Sequence, residues 1–127
     1  DVGAPLQGPC RNEDSDPATA VLYNTDIAQG IWQAAAGHCN NCHFPTAANP
    51  IGISTGGLDL SSYQALRLGG VRSATNIVVP GKPCDSVLLQ KIKGAPFGAR
   101  MPSDTPPLFA ADIQRLHDWI AEGAHDN

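Results

Sequence analysis

The sequence Cys39-Asn40-Asn41-Cys42-His43 has the pattern Cys-x-x-Cys-His, which is the attachment signature of c-type haem. Two thiols at this spacing lie on one side of a helical turn, so both can add to the vinyl groups of one porphyrin. The next residue, His43, then lies under the iron and supplies the proximal nitrogen. The motif therefore predicts Cys39 and Cys42 as covalent haem thioethers and His43 as an iron ligand.

Zinc sites and redox sites also use a Cys-x-x-Cys pair. A zinc site would need Cys10 and Cys84 as its second pair of ligands, but structural zinc sites usually bring that pair close together in sequence. A thioredoxin-like site needs a strand-helix-strand setting, which the sequence around Cys39 does not indicate. The adjoining histidine therefore favours haem over both alternatives.

The length of 127 residues favours one domain. Glycine (13 residues) and proline (11 residues) are plentiful, which predicts short helices joined by ordered loops. The formal net charge of -4 is unlike the basic surface of a nucleic-acid-binding protein. No apolar run approaches the length of a membrane span. Because the chain begins at Asp1, we expect a processed form from which a secretory signal has been removed.

Residues 1–20 are rich in proline and acidic residues and show no helical or strand period, which predicts an extended N-terminal arm. The arm carries Cys10. With Cys39 and Cys42 assigned to haem, Cys10 and Cys84 remain, and in an oxidising compartment such a remainder usually pairs. We expect a Cys10–Cys84 disulfide, with two buried free thiols as the alternative.

Helical patterns dominate the rest of the chain. The first helix is predicted to begin near Thr25, with Thr25 as its N-cap and Asp26 in its first turn. Its apolar stripe continues from Ile31 to Cys39, so the helix is expected to lead into the haem motif. Three later helices are predicted: one capped by Asp59 or Ser61 and ending at Leu68, one from Asp85 or Ser86 to Gly94, and one from Ala110 to Glu122. In the last of these, Ile113, Leu116 and Ile120 are expected to form the inner stripe.

Two further segments carry predictions. Residues 44–57 are expected to form a loop, in which Ile51 and Ile53 either contact the porphyrin or anchor the loop. The run Ile77-Val78-Val79 is expected to be briefly extended without a partner strand.

Met101 is the candidate for the second axial position on the iron. It is the only methionine in the chain, and it lies in a proline-bounded loop before the last helix. A thioether in such a loop can approach the haem face opposite His43. A bis-histidine site that uses His117 is the alternative, whereas His38 and His125 are expected to be surface or packing residues.

Arginine side chains near these ligands are candidates for a haem propionate. Arg100 adjoins Met101, and guanidinium matches the geometry of a carboxylate. Arg67, Arg72 and Tyr63 are further candidates, and a solvated surface role is an equal alternative for each.

With these motifs, the chain resembles class I c-type cytochromes, and more narrowly the cytochrome c domains of planctomycete proteins. The resemblance covers about residues 21–124. It rests on Cys39–His43, Gly56–Tyr63, Val79–Pro83, Ser86–Leu89, Arg100–Pro102, and Pro106 through Ile120.

The resemblance implies an all-α, single-domain cytochrome c fold over residues 21–127, with short helices and ordered loops wrapped around one covalent haem c. It implies crossing first and last helices, thioethers at Cys39 and Cys42, His43 as the proximal ligand and Met101 as the distal one. Two features depart from the family pattern. Phe109 stands where a serine or threonine usually opens the last helix, and Cys10 and Cys84 lie outside the pattern.

The first functional hypothesis is a mono-haem one-electron carrier, not an enzyme, that is exported or periplasmic. Its redox protein partners would dock transiently at the haem edge. The chain could equally be the electron-transfer subunit or module of a larger oxidoreductase. The second hypothesis is a haem-based sensor or a small catalytic haem protein, which requires a displaceable sixth ligand.

Overall fold

Helices supply all the regular secondary structure in residues 9–34, 39–94, 100–101 and 108–127, which are the residues that the computed structural model describes. The all-α prediction is confirmed for this part of the chain. The elements in chain order are a π-helix (Tyr23–Trp32), α1 (Asn40–His43), α2 (Ile51–Ser54), α3 (Tyr63–Leu68), two 3₁₀ helices (Ala74–Ile77 and Pro83–Asp85), α4 (Val87–Lys93) and α5 (Ala110–Ala121).

The first helix differs from its prediction in start, type and end. It begins at Tyr23, and the Leu22 N–H donates to the Asp26 carboxylate at 2.8 Å, so Thr25 is not the N-cap. The wider π turn still aligns Tyr23, Ile27 and Ile31 on its buried side, because residues four apart lie close to one turn apart. The helix ends at Trp32 and α1 begins at Asn40, so it does not run on into the motif as predicted. Ala35 and His38 lie outside the described residues.

Helices α3 and α4 end where predicted, but the N-cap of α3 is not one of the predicted residues. In α3 the Ser62 hydroxyl accepts from the Ala65 N–H, so neither Asp59 nor Ser61 is the cap. The predicted end at Leu68 is confirmed. Helix α4 follows Ser86 and ends before Gly94, as predicted. The Ser86 hydroxyl joins two loop groups instead of capping, since it accepts from Val79 N and donates to the Lys82 carbonyl.

Two segments predicted to be irregular contain helix. The segment from 44 to 57 includes the single turn α2, and both isoleucines of that loop lie in it. Ile51 is half exposed and Ile53 is half-buried, so their predicted contact with a porphyrin stays a prediction. Ile77 ends the first 3₁₀ helix, and only then does the chain become extended at Val78.

The core lies where the π-helix packs against α5. Tyr23 contacts Trp119 and Tyr63, with ring centroids 5.3 Å away in both cases. The predicted inner stripe of α5 is confirmed for Leu116 and Ile120, which are fully buried. The other buried apolar residues surround this crossing: Val21, Ile27, Ile31, Trp32, Leu60, Leu66, Ile77, Val78, Leu88, Leu89, Ile92, Leu108 and Ala124.

Helix α5 begins without a side-chain cap. Phe109 holds the N-cap position, and it makes no side-chain cap hydrogen bond. Its carbonyl accepts from Asp112 N and Ile113 N at 3.0 and 3.1 Å, so the first turn is closed by backbone groups alone. The Phe109 side chain is largely exposed.

The N-terminal arm is held on the outer side of α5. The sulfurs of Cys10 and Cys84 lie 2.01 Å apart, which is disulfide-bonding distance. The Cys84 N–H also donates to the Asn12 side chain at 2.9 Å. Further along, Ser15 reaches Asp118 through its backbone N–H (3.0 Å) and its hydroxyl (2.5 Å).

Asp118 is the buried acceptor at the centre of this attachment. Its side chain is 1% exposed, and it accepts from Ser15, from Gln114 Nε2 (3.0 Å) and from His117 Nδ1 (3.1 Å). The other ring nitrogen of His117, Nε2, lies 2.6 Å from the Arg11 carbonyl oxygen. The buried Asp118 carboxylate and the His117 ring together fasten the arm to α5.

We predict that Asp118→Ala lowers the free energy of unfolding by about 3–5 kcal/mol, because it leaves four hydrogen-bonding groups, two of Ser15 and one each of Gln114 and His117, without their partner. Asp112→Ala is the matched control on the same helix. It removes the half-buried Asp112–Arg115 pair at 2.8 Å and should cost about 1 kcal/mol or less. Denaturant unfolding measures both values. Equal losses in the two variants would contradict the central role of Asp118.

We predict that Cys10 and Cys84 form a disulfide in the purified protein. Their sequence separation of 74 means that a bridge stabilises by about 4 kcal/mol in the chain-entropy model. Alkylation of the denatured, unreduced protein checks this directly. With Cys39 and Cys42 in thioethers, no cysteine should react before reduction and two should react after it. Two reactive thiols before reduction would establish the free-thiol alternative.

Candidate haem site

The motif residues lie on one helical turn. The His43 N–H donates to the Cys39 carbonyl at 2.9 Å, and the Cys42 N–H approaches the same oxygen at 3.3 Å. These bonds close the α1 turn. Counted from Cys39, the two cysteines and the histidine stand at positions 0, 3 and 4 of this turn. Positions with this spacing share one face of a helix. The structure therefore brings the two thiols and the imidazole to one side of α1.

The imidazole of His43 is oriented by a backbone carbonyl. Its Nδ1 lies 2.8 Å from the Leu58 oxygen, which can only accept, so the ring carries its proton on Nδ1. That tautomer places the lone pair on Nε2, the nitrogen that is then able to bind a metal. A hydrogen bond at the second nitrogen also makes the imidazole a stronger ligand.

The segment after α1 folds back against His43. The Leu60 N–H donates to the His43 carbonyl at 2.8 Å, and the Leu58 N–H donates to the Gly52 carbonyl at 3.2 Å. Leu60 is buried in the core and Leu58 packs against it. Sequence reasoning missed Leu58 and Gly52, because a backbone acceptor and a close contact leave no signature in residue type.

Cys39 lies against the hydrophobic core. Burial raises the pKa of its thiol to about 11, and the nearby charges of Asp112 and Cys42 act in the same direction. At neutral pH the thiol is therefore protonated, unlike the low-pKa thiolates of redox sites. Cys39 and Cys42 take no part in a disulfide.

A zinc site would need Cys10 and Cys84 as its second pair of ligands. Cys10 and Cys84 lie at disulfide distance from each other. Within the part of the chain that the structure describes, no group of three or more His, Cys, Asp or Glu side chains could hold a metal ion. The donor set around His43 fits a haem, because one imidazole nitrogen and two thiols are what covalent haem attachment requires.

Met101 is positioned by helix α4. Its N–H donates to the Lys91 carbonyl at 3.1 Å, and the residue is half-buried. Gly94 ends α4 in the left-handed conformation (φ 100°), so the chain turns back toward this carbonyl. The described hydrogen bonds join Met101 to α4 and not to the Cys39–His43 turn. Pro102, Pro106 and Pro107 lie outside the described residues.

His117, the alternative ligand, has both of its ring nitrogens in contact with other groups of the protein. Its two nitrogens face Asp118 and the Arg11 carbonyl, and only 6% of the residue is exposed. Ligation of iron by His117 would therefore break its contacts with the arm and with Asp118. His125 is exposed near the end of the chain.

The candidate propionate residues have different surroundings. Arg67 Nη1 donates to the Tyr63 hydroxyl at 2.6 Å, and that hydroxyl donates to the Ala124 carbonyl at 2.7 Å. Arg67 Nε is buried and has no hydrogen-bond partner among the described residues. Arg72 is exposed, and Arg100 is half-buried beside Met101.

An all-helical chain with Cys-x-x-Cys-His on one turn, and with the histidine lone pair on Nε2, has the features of a haem-binding c-type cytochrome. The comparison with family models agrees. The model described as planctomycete cytochrome C matches residues 39–104, just over half of the chain. The chain belongs to this family. The matched residues run from Cys39 past Met101 and stop before α5, so both crossing helices lie outside the match.

Two other comparisons found no similar protein. A search of the curated proteins and a search of the solved structures each give no significant match. Site assignments for this chain therefore depend on its own geometry and on the family motif.

Proposed function

We propose that this protein is a mono-haem c-type cytochrome that works as a one-electron carrier between redox partners. The observation that carries the proposal is the His43 Nδ1–Leu58 oxygen hydrogen bond of 2.8 Å on the motif turn. It presets the one tautomer of His43 that can ligate iron through Nε2.

In this proposal Cys39 and Cys42 hold the haem through thioethers, His43 is the proximal ligand and Met101 is the distal ligand. The haem supplies a ferric/ferrous couple, and histidine–methionine ligation raises its potential relative to other ligand sets. Arg100, next to Met101, is the proposed propionate contact. Two protein ligands would leave no position for a substrate, which favours a carrier over an enzyme.

The surroundings of both axial ligands favour small rearrangement during electron transfer. On the proximal side, Leu58 and Leu60 tie His43 to the core through two hydrogen bonds of 2.8 Å. On the distal side, the Met101 N–H is tied to the backbone of α4. Ligands held in advance change little between oxidation states, and a carrier depends on that property.

Partners and location follow from charge and covalent chemistry. The net charge of -4 suits partners with a positively charged docking surface. Carriers must leave quickly, so docking at the haem edge would be weak. A Cys10–Cys84 disulfide suits an exported or periplasmic protein. We propose residues 1–20 as an arm on a cytochrome c domain of residues 21–127, whether this works alone or within a larger oxidoreductase.

No helix among the described residues combines the length and the apolar character needed to cross a bilayer.

We predict that acid-organic extraction leaves haem on the polypeptide, because thioethers survive conditions that release a ligated but non-covalent haem. Mass spectrometry of the extracted chain should show the mass of one haem. Cys39→Ser with Cys42→Ser is the matched variant and should lose the haem to the organic phase. Haem extracted from the unmodified protein would contradict covalent attachment.

We predict that Met101→Ala opens the sixth position and lowers the midpoint potential by a fraction of the roughly 0.8 V that axial ligands span. The reduced variant should bind carbon monoxide, whereas the unmodified protein should not. Met101→His keeps six ligands and should lower the potential without admitting carbon monoxide. A visible spectrum with redox titration measures all three proteins.

An unchanged spectrum and potential in Met101→Ala would show that Met101 is not a ligand. Carbon monoxide binding by the unmodified reduced protein would instead favour the sensor or small catalytic haem protein. The two results are distinct, because the first concerns the identity of the ligand and the second concerns its strength.

A further inference from the structure

We propose that Gly52 is a positioning residue for His43, which sets the imidazole orientation and the strength of its Nδ1 hydrogen bond. This inference rests on the proposed role of His43 as the proximal ligand. The motif does not include Gly52, and from the sequence it is simply one of several loop glycines. Its part in the site comes from helix α2, which lies against the motif turn.

The contact between Gly52 and the imidazole excludes any side chain. A Cβ atom built on Gly52 would lie 2.5 Å from both Cε1 and Nδ1 of His43, and 2.8 Å from the Cys42 carbonyl oxygen. Ordinary contacts between non-bonded carbon atoms are about 3.5–4.0 Å. Gly52 lies in helix α2, so the need for glycine comes from this close approach and not from an unusual backbone angle.

The imidazole cannot give way without loss. The Nδ1 atom of His43 is already hydrogen-bonded to the Leu58 oxygen at 2.8 Å, and Cys42 O is a backbone atom of the motif turn. A methyl group at position 52 therefore has to rotate the ring, lengthen the bond to Leu58 or push α2 away. Each of these changes alters the bond at Nδ1.

A second bond joins Gly52 to the same system. The Gly52 carbonyl accepts from the Leu58 N–H at 3.2 Å, and the carbonyl of Leu58 accepts from His43. Gly52 thus contacts the ring directly and also positions the residue that accepts its proton. A displacement of Gly52 acts on the imidazole through both routes.

The direction of the effect on the potential follows from ligand basicity. A strong hydrogen bond at Nδ1 raises the basicity of the ligating imidazole, and a more basic ligand favours the more highly charged ferric iron. Weakening this bond disfavours the ferric state. Gly52→Ala should therefore shift the midpoint potential to more positive values. We expect at most about a tenfold change in the ratio of oxidised to reduced protein, which is 59 mV for one electron.

The test compares Gly52→Ala with two other glycine-to-alanine variants. Gly56→Ala adds a methyl 2.8 Å from the Gly52 oxygen and makes no contact with His43. It therefore disturbs the hydrogen bond from Leu58 N–H to this oxygen, and acts on His43 only indirectly. Gly30→Ala is the matched control in the π-helix, where the nearest atoms to the new methyl are Thr25 O and Arg115 Nη1. Each haem-loaded protein is titrated for its potential. Nuclear magnetic resonance of the reduced form measures solvent exchange of the His43 Nδ1 proton.

The expected result is a positive shift and faster Nδ1 proton exchange in Gly52→Ala, a smaller change of the same sign in Gly56→Ala, and neither change in Gly30→Ala. An unchanged midpoint potential and an unchanged exchange rate of the Nδ1 proton in Gly52→Ala would overturn the proposal. Equal shifts in Gly30→Ala would also overturn it. If Gly52→Ala does not retain haem, Gly56→Ala decides by the same two measurements.

Failure of the carrier function would be visible separately. It would appear as the absence of a reversible one-electron couple in the unmodified protein, whereas the exchange measurement does not depend on electron transfer. If the unmodified reduced protein binds carbon monoxide, the exchange comparison is made on the carbon monoxide-bound form. The exchange measurement would then still test the role of Gly52, even with the carrier function disproved.

Discussion

The hydrogen bond from His43 Nδ1 to the Leu58 oxygen is the constraint on which the site depends. The acceptor lies 15 residues downstream, so the chain must leave the motif turn, form α2 and return. Leu60 then donates to the His43 carbonyl and enters the core. The imidazole of His43 is in this way fixed by backbone groups, whose positions the core determines.

A second constraint, the burial of the Asp118 carboxylate, holds the outer face of α5. Burial of a charge is costly unless partners satisfy it, and here the arm supplies Ser15 while α5 supplies His117 and Gln114. The arm explains why α5 is buried on more than its predicted stripe, since His117 and Asp118 lie under it. In this arrangement both ring nitrogens of His117 contact groups of the fold, Asp118 and the Arg11 carbonyl.

Local patterns were the part of the fold that could be predicted. The positions of α3, α4 and α5 follow from apolar spacing and from glycines at their ends, and these act within one or two turns. The N-caps were less predictable, because Asp59, Ser61 and Ser62 offer chemically similar side chains and only the backbone path selects Ser62. The π-helix was missed because its apolar spacing of four residues also fits an α-helix.

The sequence by itself determined which residues form the candidate site, because Cys39, Cys42 and His43 are neighbours whose spacing places them on one turn. It also indicated that Cys10 and Cys84 form a pair. Only the tertiary structure decided which tautomer His43 adopts, that Gly52 must lack a side chain, and that His117 faces the arm. These depend on atoms 9 to 106 residues apart in the chain, whose meeting is set by packing and not by any local pattern.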